Sequence, residues 1–502
     1  MNNLSIILAI LPFIVFIYLI FIRKITLLKA SFLTLIFYTA LSVFYWQILP
    51  KYLLISFEKG FLIAIDIFII IFGAILFLEI LKSLNVLKNI SHYLSHISKD
   101  YRVQIIVIAW FFESFLEGTA GFGTPSAVAV PLLIGVGLSP LTSLVVGLLG
   151  NSVPGVFGAA GTPIKVGFST LPVSQVPYFA SIFNLVGIII PIFMMWIVTR
   201  KRENKNKEFI QAIPFALWSG ILFLIPSFFA AKFLGQEFPT IVGSIIGLVL
   251  AIISIRLKIF IPKENISLVE ESTEKPTLSP LKSFMPYILL IVLLIAGKFI
   301  LGNINIPVNV VGFVHKFNLF NPGLVFIIVS FITIMFWKKI KIPFEFIKTS
   351  FQGAGIPFLT ISFMLIMVQI MINSGNNLSS ILSPINLLAQ SIESNLIPFI
   401  APFAGAFGAF LTGSVTTSNV MFGTLFHTAA TSMNIHTQIV LALLVAGAAL
   451  GNMIAMADIL TAEAVIGAKN QERKIIKGVI VPCIICLVVV GLFGMLMMRW
   501  YN

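Results

Sequence analysis

The sequence predicts an all-α polytopic membrane protein with about 12 transmembrane helices and two re-entrant hairpins arranged as inverted repeats. Three observations carry that prediction. The chain has 502 residues, 59% of them hydrophobic and only 10% charged, with a mean hydropathy of +1.07. Its basic residues fall in short clusters between apolar runs. And one run, residues 111–164 (FFESFLEGTAGFGTPSAVAVPLL…GNSVPGVFGAAGTPI), sits amid apolar sequence yet carries two carboxylates, ten glycines and two Thr-Pro steps. A bilayer tolerates unwound backbone only where protein buries it or where it lines a watery cavity.

Many segments reach the roughly 20 apolar residues that cross a ~30 Å hydrocarbon core. They fall near residues 4–22, 31–50, 60–81, 141–168, 176–199, 210–232, 238–257, 284–303, 322–338, 350–373, 437–460 and 477–499. Their apolar runs are continuous, which excludes the alternating pattern of a transmembrane barrel. The first run lacks a basic start and a small-residue cleavage site, and another span follows at once, so it reads as a span. Two further segments, about 103–137 and 395–432, are apolar but broken in the middle. Residues 376–394 fit either a surface helix or part of a span.

The net charge of +14 comes from clusters at 23–29, 82–102, 200–202, 256–263, 338–341 and 469–477. Cytoplasmic loops collect Lys and Arg in this way, so the charge needs no nucleic acid. It also constrains topology. For the clusters at 82–102 and 200–202 to share a side, the broken segment between them must enter and return. The same logic makes the second broken segment a hairpin entering from the other side, with both termini outside. The polar stretch 263–282, KENISLVEESTEKPTLSPLK, reads as a cytoplasmic linker between a first membrane half, 1–262, and a second, 283–502. Phe115-Leu116-Glu117-Gly118 and Phe410-Leu411-Thr412-Gly413 occupy matching places in the two broken segments, and Gly150-Asn151 and Gly451-Asn452 recur in the span after each. Interrupted segments in corresponding positions point to a transporter's binding site.

At the first tip, Gly118, Thr119, Gly121, Gly123 and Thr124 combine loose backbone with a Thr-Pro helix start. Asn151, Thr162 and Lys165 follow in the next span. At the second tip Gly413, Ser414, Thr416, Thr417, Ser418 and Asn419 offer hydroxyls and an amide, with a half-helix expected from near Ser418. Helix N-termini hold anions, so these residues are the substrate-binding candidates. The competing explanation is that small residues merely let helices pack closely. Glu113 and Glu117 lie four residues apart, on one helix face. Two carboxylates so close in low dielectric do not both ionise readily, so Glu117 and Glu113, with Asp66 in the third span, are the proton-coupling candidates. Lys165 can counter a substrate charge or pair with a glutamate, Lys298 can snorkel outward, and Asp458 and Glu463 fit surface charges at an inner span end. Cys483 and Cys486 are expected as packing residues. No metal-ligand spacing, cofactor motif or P-loop is found, so neither a metal nor another cofactor is expected.

FLEGTAGFGTP at 115–125, GNSVPGVFGAAGTPI at 150–164 and TGSVTTSNVMFG at 412–423 together resemble the L-lactate permease family, and the order of segments is similar over most of the chain. The resemblance implies uptake of lactate, often also glycolate, with protons across the inner membrane of a bacterium. It places Glu117, the tip from Gly118 to Thr124, and Ser414 to Asn419 at the substrate or coupling site. Two positions depart from the family pattern: an acidic residue is usual where Val415 stands, and a lysine where Asn452 stands. The expectation is therefore a secondary transporter whose partners are a small carboxylate, a coupling proton or sodium, and membrane lipid. Its rivals are a channel and an intramembrane enzyme acting on a lipid-linked substrate, for which no nucleophile–base pair or metal cluster is seen.

Overall fold

The computed structural model describes residues 3–23, 25–119, 121, 124–268, 276–310, 313–337, 344–392, 395–465 and 471–501. It is an all-α polytopic membrane protein. Nine helices among the described residues are long and apolar enough to cross a membrane, and a tenth span arises if the bent pair Pro140–Ser152 and Pro154–Lys165, which meet at 48°, counts as one. Shorter apolar helices, Leu4–Ile20 and Pro322–Trp337, stand where the first and ninth spans were expected. Outer helices turn apolar side chains outward (Ile300 is 70% exposed, Met335 75%), as a lipid-facing surface requires. The centre is held by Thr437–Asn452, whose residues from Ile439 to Asn452 are all buried and which packs closely on Ile397–Thr412.

The first broken segment runs as one rod through Tyr101–Ile106, a π-helical turn Val107–Phe112 and Glu113–Thr119, then resumes at Thr124–Gly135. Its base is pinned by a buried ion pair, Arg102 to Asp100 at 2.7 Å. Arg102 also donates to the carbonyls of Glu208 and Glu264, and the Tyr101 hydroxyl donates to Glu208 at 2.6 Å. A buried charge pair is tolerable only with its remaining groups satisfied in this way. The same region holds the flanks of the expected linker: Tyr101 N donates to the Ile266 carbonyl at 2.9 Å and Thr277 N to Asn89 Oδ1 at 2.7 Å. Residues 269–275 of that stretch lie outside the described residues.

Several elements differ from expectation. The span expected at 437–460 stops at Asn452 and resumes as Met456–Val465. The second half-helix begins at Val415, not near Ser418, because Ser414 caps it, accepting from Thr417 N at 3.2 Å; a serine hydroxyl is among the best caps available. Residues 384–391 form a short helix whose apolar side chains are mostly buried. An antiparallel β-ribbon, Asn305–Val310 with Phe313–Asn318, follows the helix Pro280–Leu301. Lys298 does not snorkel; it pairs with the buried Glu237 at 3.1 Å.

Candidate functional site

The two tips meet. Glu117 lies on the last helical turn before the first break and is 6% exposed. Gly121 (φ +60°) turns the chain there in a conformation that a side chain rarely adopts. The Glu117 carboxylate points at Gly158, where an added Cβ would fall 2.1 Å from Oε1. The missing side chain is thus the berth for this carboxylate. Oε2 of Glu117 has no hydrogen-bond partner among the described residues, and the Asn151 side chain lies beside the group. Glu113, one turn earlier, faces another way. Its Oε1 accepts from Ser126 Oγ at 2.8 Å, and Gly150 leaves room for its Oε2.

The next span is broken opposite this tip. Pro140–Ser152 gives way to a 3₁₀ turn, Pro154–Phe157, and then to Gly158–Lys165, in which Ala159, Ala160 and Gly161 are all left-handed. Right-handed helix resumes at Thr162, whose hydroxyl donates to the Ala159 carbonyl at 2.5 Å. From the second half of the chain, Ile397–Thr412 ends in a left-handed Gly413 (φ +67°) and Val415–Ser432 starts at once. Amides in a helix's first turn lack intrahelical acceptors, and here that turn faces the break at residues 158–161.

These four discontinuities enclose one small cavity. It is lined by Glu117, Gly121, Gly155, Gly158, Ala159, Thr162 and Pro163 from the first half, and by Gly413, Ser414, Val415, Thr416, Asn452 and Asp458 from the second. About 40 Å³ is open to the centres of water-sized molecules, room for roughly three waters. Its titratable residues are two carboxylates, Glu117 and Asp458, and no lysine, arginine or histidine lines it among the described residues. Asp458 is 7% exposed and its Oδ2 has no hydrogen-bond partner among the described residues; Glu463 is also buried, at 3%. Neither is the surface charge expected from sequence. Asn452 likewise keeps an unpartnered Oδ1.

The other candidates separate into groups. Gly121, Thr162, Gly413, Ser414 and Thr416 line the cavity with Glu117. Gly118 packs against Thr240 and Ile241. The Thr119 hydroxyl is spent on the Phe115 carbonyl at 3.0 Å, Ser418 on Gly405 at 2.7 Å, and Asn419 donates to the Pro163 carbonyl at 2.9 Å. These last three brace the walls, and Thr417 is buried behind them. Gly123 and the Thr124 side chain lie outside the described residues, although a helix does begin at Thr124. Lys165 and Asp66 are elsewhere: they line a second cavity of about 190 Å³ with His315, Lys316, Phe320 and Asn321. Close packing accounts for the paired Gly-Asn steps. A Cβ at Gly150 would fall 1.9 Å from the Ala109 carbonyl oxygen, and one at Gly451 would fall 2.5 Å from Ala406. Each glycine abuts the incoming helix of the preceding hairpin. Sequence reasoning missed Asp458; its place shortly after the second Gly-Asn step was the available signal.

The sequence profile of the L-lactate permease family matches residues 5–299 and 297–500. A Haemophilus influenzae protein is 29% identical over 86% of this chain and 87% of its own length. The L-lactate permease of Salmonella typhi is 25% identical over 97% of this chain and 95% of that protein. The glycolate permease GlcA of Escherichia coli K12 is 25% identical over 80% of this chain and 79% of that protein.

Proposed function

The chain belongs to the L-lactate permease family, integral transporters of small organic acids in the bacterial inner membrane, and from that premise we propose that it imports a small monocarboxylate, lactate or glycolate, together with protons by alternating access. The observation that carries this reading is the cavity itself. Both hairpin tips and both broken spans contribute to it, one pair from each half of the chain. The halves are read as inverted repeats whose hairpins enter from opposite leaflets, so rocking one against the other would expose the cavity to each side in turn.

The charge of the cavity supplies the coupling. Two unit charges 4 Å apart repel by about 4 kcal/mol at an effective dielectric near 20, a factor of about a thousand in affinity. A substrate carboxylate entering beside ionised Glu117 and Asp458 meets that penalty. Protonation of each group removes its share of the repulsion and leaves a donor for the incoming anion. The first-turn amides at Val415 and Thr416 and the hydroxyls of Ser414, Thr416 and Thr162 supply further donors. Empty and charged, the site favours one orientation; loaded and neutralised, it can cross. Glu113, hydrogen-bonded to Ser126, stands behind Glu117 as the next carboxylate inward. This is transport with no bond made or broken in the substrate, so the chain acts as a carrier and not as an enzyme.

Counterflow and uphill uptake in proteoliposomes test the reading. Glu117→Gln is expected to keep exchange of labelled lactate but to lose accumulation driven by a proton gradient, by at least tenfold. Unchanged accumulation would remove Glu117 from the coupling. A sodium gradient applied at fixed pH separates the rival cation: uptake that follows sodium and ignores protons would replace the proton in this scheme.

A further inference from the structure

We propose that the second cavity, around Lys165, is an outer capture site for the substrate carboxylate, a proposal that rests on the transport reading above. The cavity has about 190 Å³ open to water-sized centres, several times the room at the tips. Lys165 is half-buried in its wall, with Nζ donating to the Phe320 carbonyl at 3.2 Å and lying 5.3 Å from the centre of the Phe320 ring. No carboxylate lies within ion-pair distance of it among the described residues. Of the two acids nearby, Glu237 takes Lys298, and Asp66, on the same cavity wall, sits 3.5 Å from His315, which offsets its charge only when that imidazole is protonated. An ammonium held over a ring, with one neutral acceptor, no direct ion pair among the described residues and open space in front, has room for an anion. Lys316 stands exposed at the same mouth.

Position makes the site a stage in transport and not an isolated pocket. Thr162 and Pro163 line the tip cavity, while Lys165 and Val166 line the outer one. At 1.5 Å per residue, Thr162 of the one and Lys165 of the other are about 4.5 Å apart along the helix axis. The positive-inside pattern places the contributing segments on one face. The start of the third span, the loop after residue 168 and the β-ribbon all fall outside. A carboxylate arriving from outside therefore meets two lysines, Lys165 and Lys316, against the single acid Asp66 first, and the two carboxylates second. Capture at Lys165 raises its local concentration beside a site that admits it only on neutralisation.

Ser169, exposed on the wall of this cavity, permits a direct test. In a Ser169→Cys variant, a membrane-impermeant sulfonated thiol reagent is added to intact cells, with and without lactate or glycolate; the native Cys483 and Cys486 are fully buried. Saturating substrate is expected to slow modification at least threefold. That protection should persist when Glu117→Gln is added and disappear with Lys165→Met, and Lys165→Arg should restore it. In uptake, Lys165→Met should raise KM tenfold or more with Vmax within twofold. Protection that survives Lys165→Met, or that is lost with Glu117→Gln, would overturn the capture site, because the signal would then come from the tips. Uptake without any protection would overturn it too, leaving the transport reading standing. Neither uptake nor protection by either carboxylate would overturn both.

Discussion

Gly158→Ala isolates the contact on which the tip cavity depends. Gly158 has φ −61° and ψ 156°, extended backbone that alanine adopts freely, so the substitution adds a methyl group without strain in the main chain. The three atoms nearest that methyl would all belong to Glu117: Oε1 at 2.1 Å, Cδ at 3.1 Å and Cγ at 3.5 Å. Contact at about 3.5 Å is comfortable, so Oε1 must retreat by about 1.4 Å. The obstacle is the free end of a flexible side chain, which puts the cost at the low end of the ~1–3 kcal/mol of overpacking. The protein should fold, with a thermal midpoint within a few degrees of the parent in detergent. Transport should suffer far more, because misplacing an acting group by about 1 Å costs up to roughly a hundredfold. Counterflow of labelled lactate is expected to fall tenfold to a hundredfold. In a Glu117→Ala background, where nothing is left to displace, the same glycine change should cost less than a further twofold, since coupling of this kind is what a double-mutant cycle measures. Full counterflow in Gly158→Ala, or equal losses in both backgrounds, would show that the Glu117–Gly158 contact is not part of the site.

If both carboxylates carry the coupling, Asp458→Asn should behave like Glu117→Gln, keeping exchange and losing gradient-driven uptake by tenfold or more in the same proteoliposomes. Ser414→Ala removes the cap of the second half-helix and should cost about 1 kcal/mol of stability, seen as a lowered thermal midpoint. Ser414→Asp should restore that midpoint as a competent cap, yet it adds a third negative charge to the cavity and should depress lactate uptake at least tenfold. Gly150→Ala or Gly451→Ala should abolish the folded, membrane-inserted protein, because the added methyl would fall 1.9 Å or 2.5 Å from the backbone of a neighbouring helix; normal expression and uptake in either would refute that packing.

Much of this was legible because membrane insertion leaves few options. Apolar length gave the spans, and the Gly-rich, Thr-Pro-marked runs gave the breaks, since an unwound backbone in a bilayer must be sheltered. The kink before Thr162 is a case in point: Gly161 and Pro163 announce it, although Ala159 and Ala160 also being left-handed could not be foreseen from residues that seldom adopt that conformation. What a hydroxyl-rich run cannot tell is which hydroxyl faces inward. Once Ser414 fixes the helix start, rotation turns Thr416 to the cavity and Ser418 and Asn419 to the carbonyls of Gly405 and Pro163. Asp458 was hidden for a different reason. Its burial follows from the helix Met456–Val465 folding back so that Ala457 packs over Gly413, a long-range contact to which the preceding Gly451-Asn452 step was the one local hint.

The same long-range folding explains why the charges are arranged as they are. A lysine among the tips would pair with Glu117 or Asp458, and each would hold the other's charge; the cavity would then carry one uncompensated negative charge in place of two without taking up a proton, and the coupling would weaken. A cation on the outer cavity, separated from the carboxylates by a helical turn and engaged with the Phe320 carbonyl, attracts the anion without discharging the site. Lys165 and the two acids are thus compatible in one path because they are not in one pocket. Moving the cation inward tests this directly. Asn452→Lys, made without the acidic residue that is usual in the family where Val415 stands, should make Glu117 an ion-pair partner, cut proton-driven accumulation of lactate at least tenfold, and leave Lys165-dependent protection at Ser169→Cys unchanged. Retained gradient-driven accumulation in Asn452→Lys would mean that the carboxylates couple transport by some means other than their uncompensated charge.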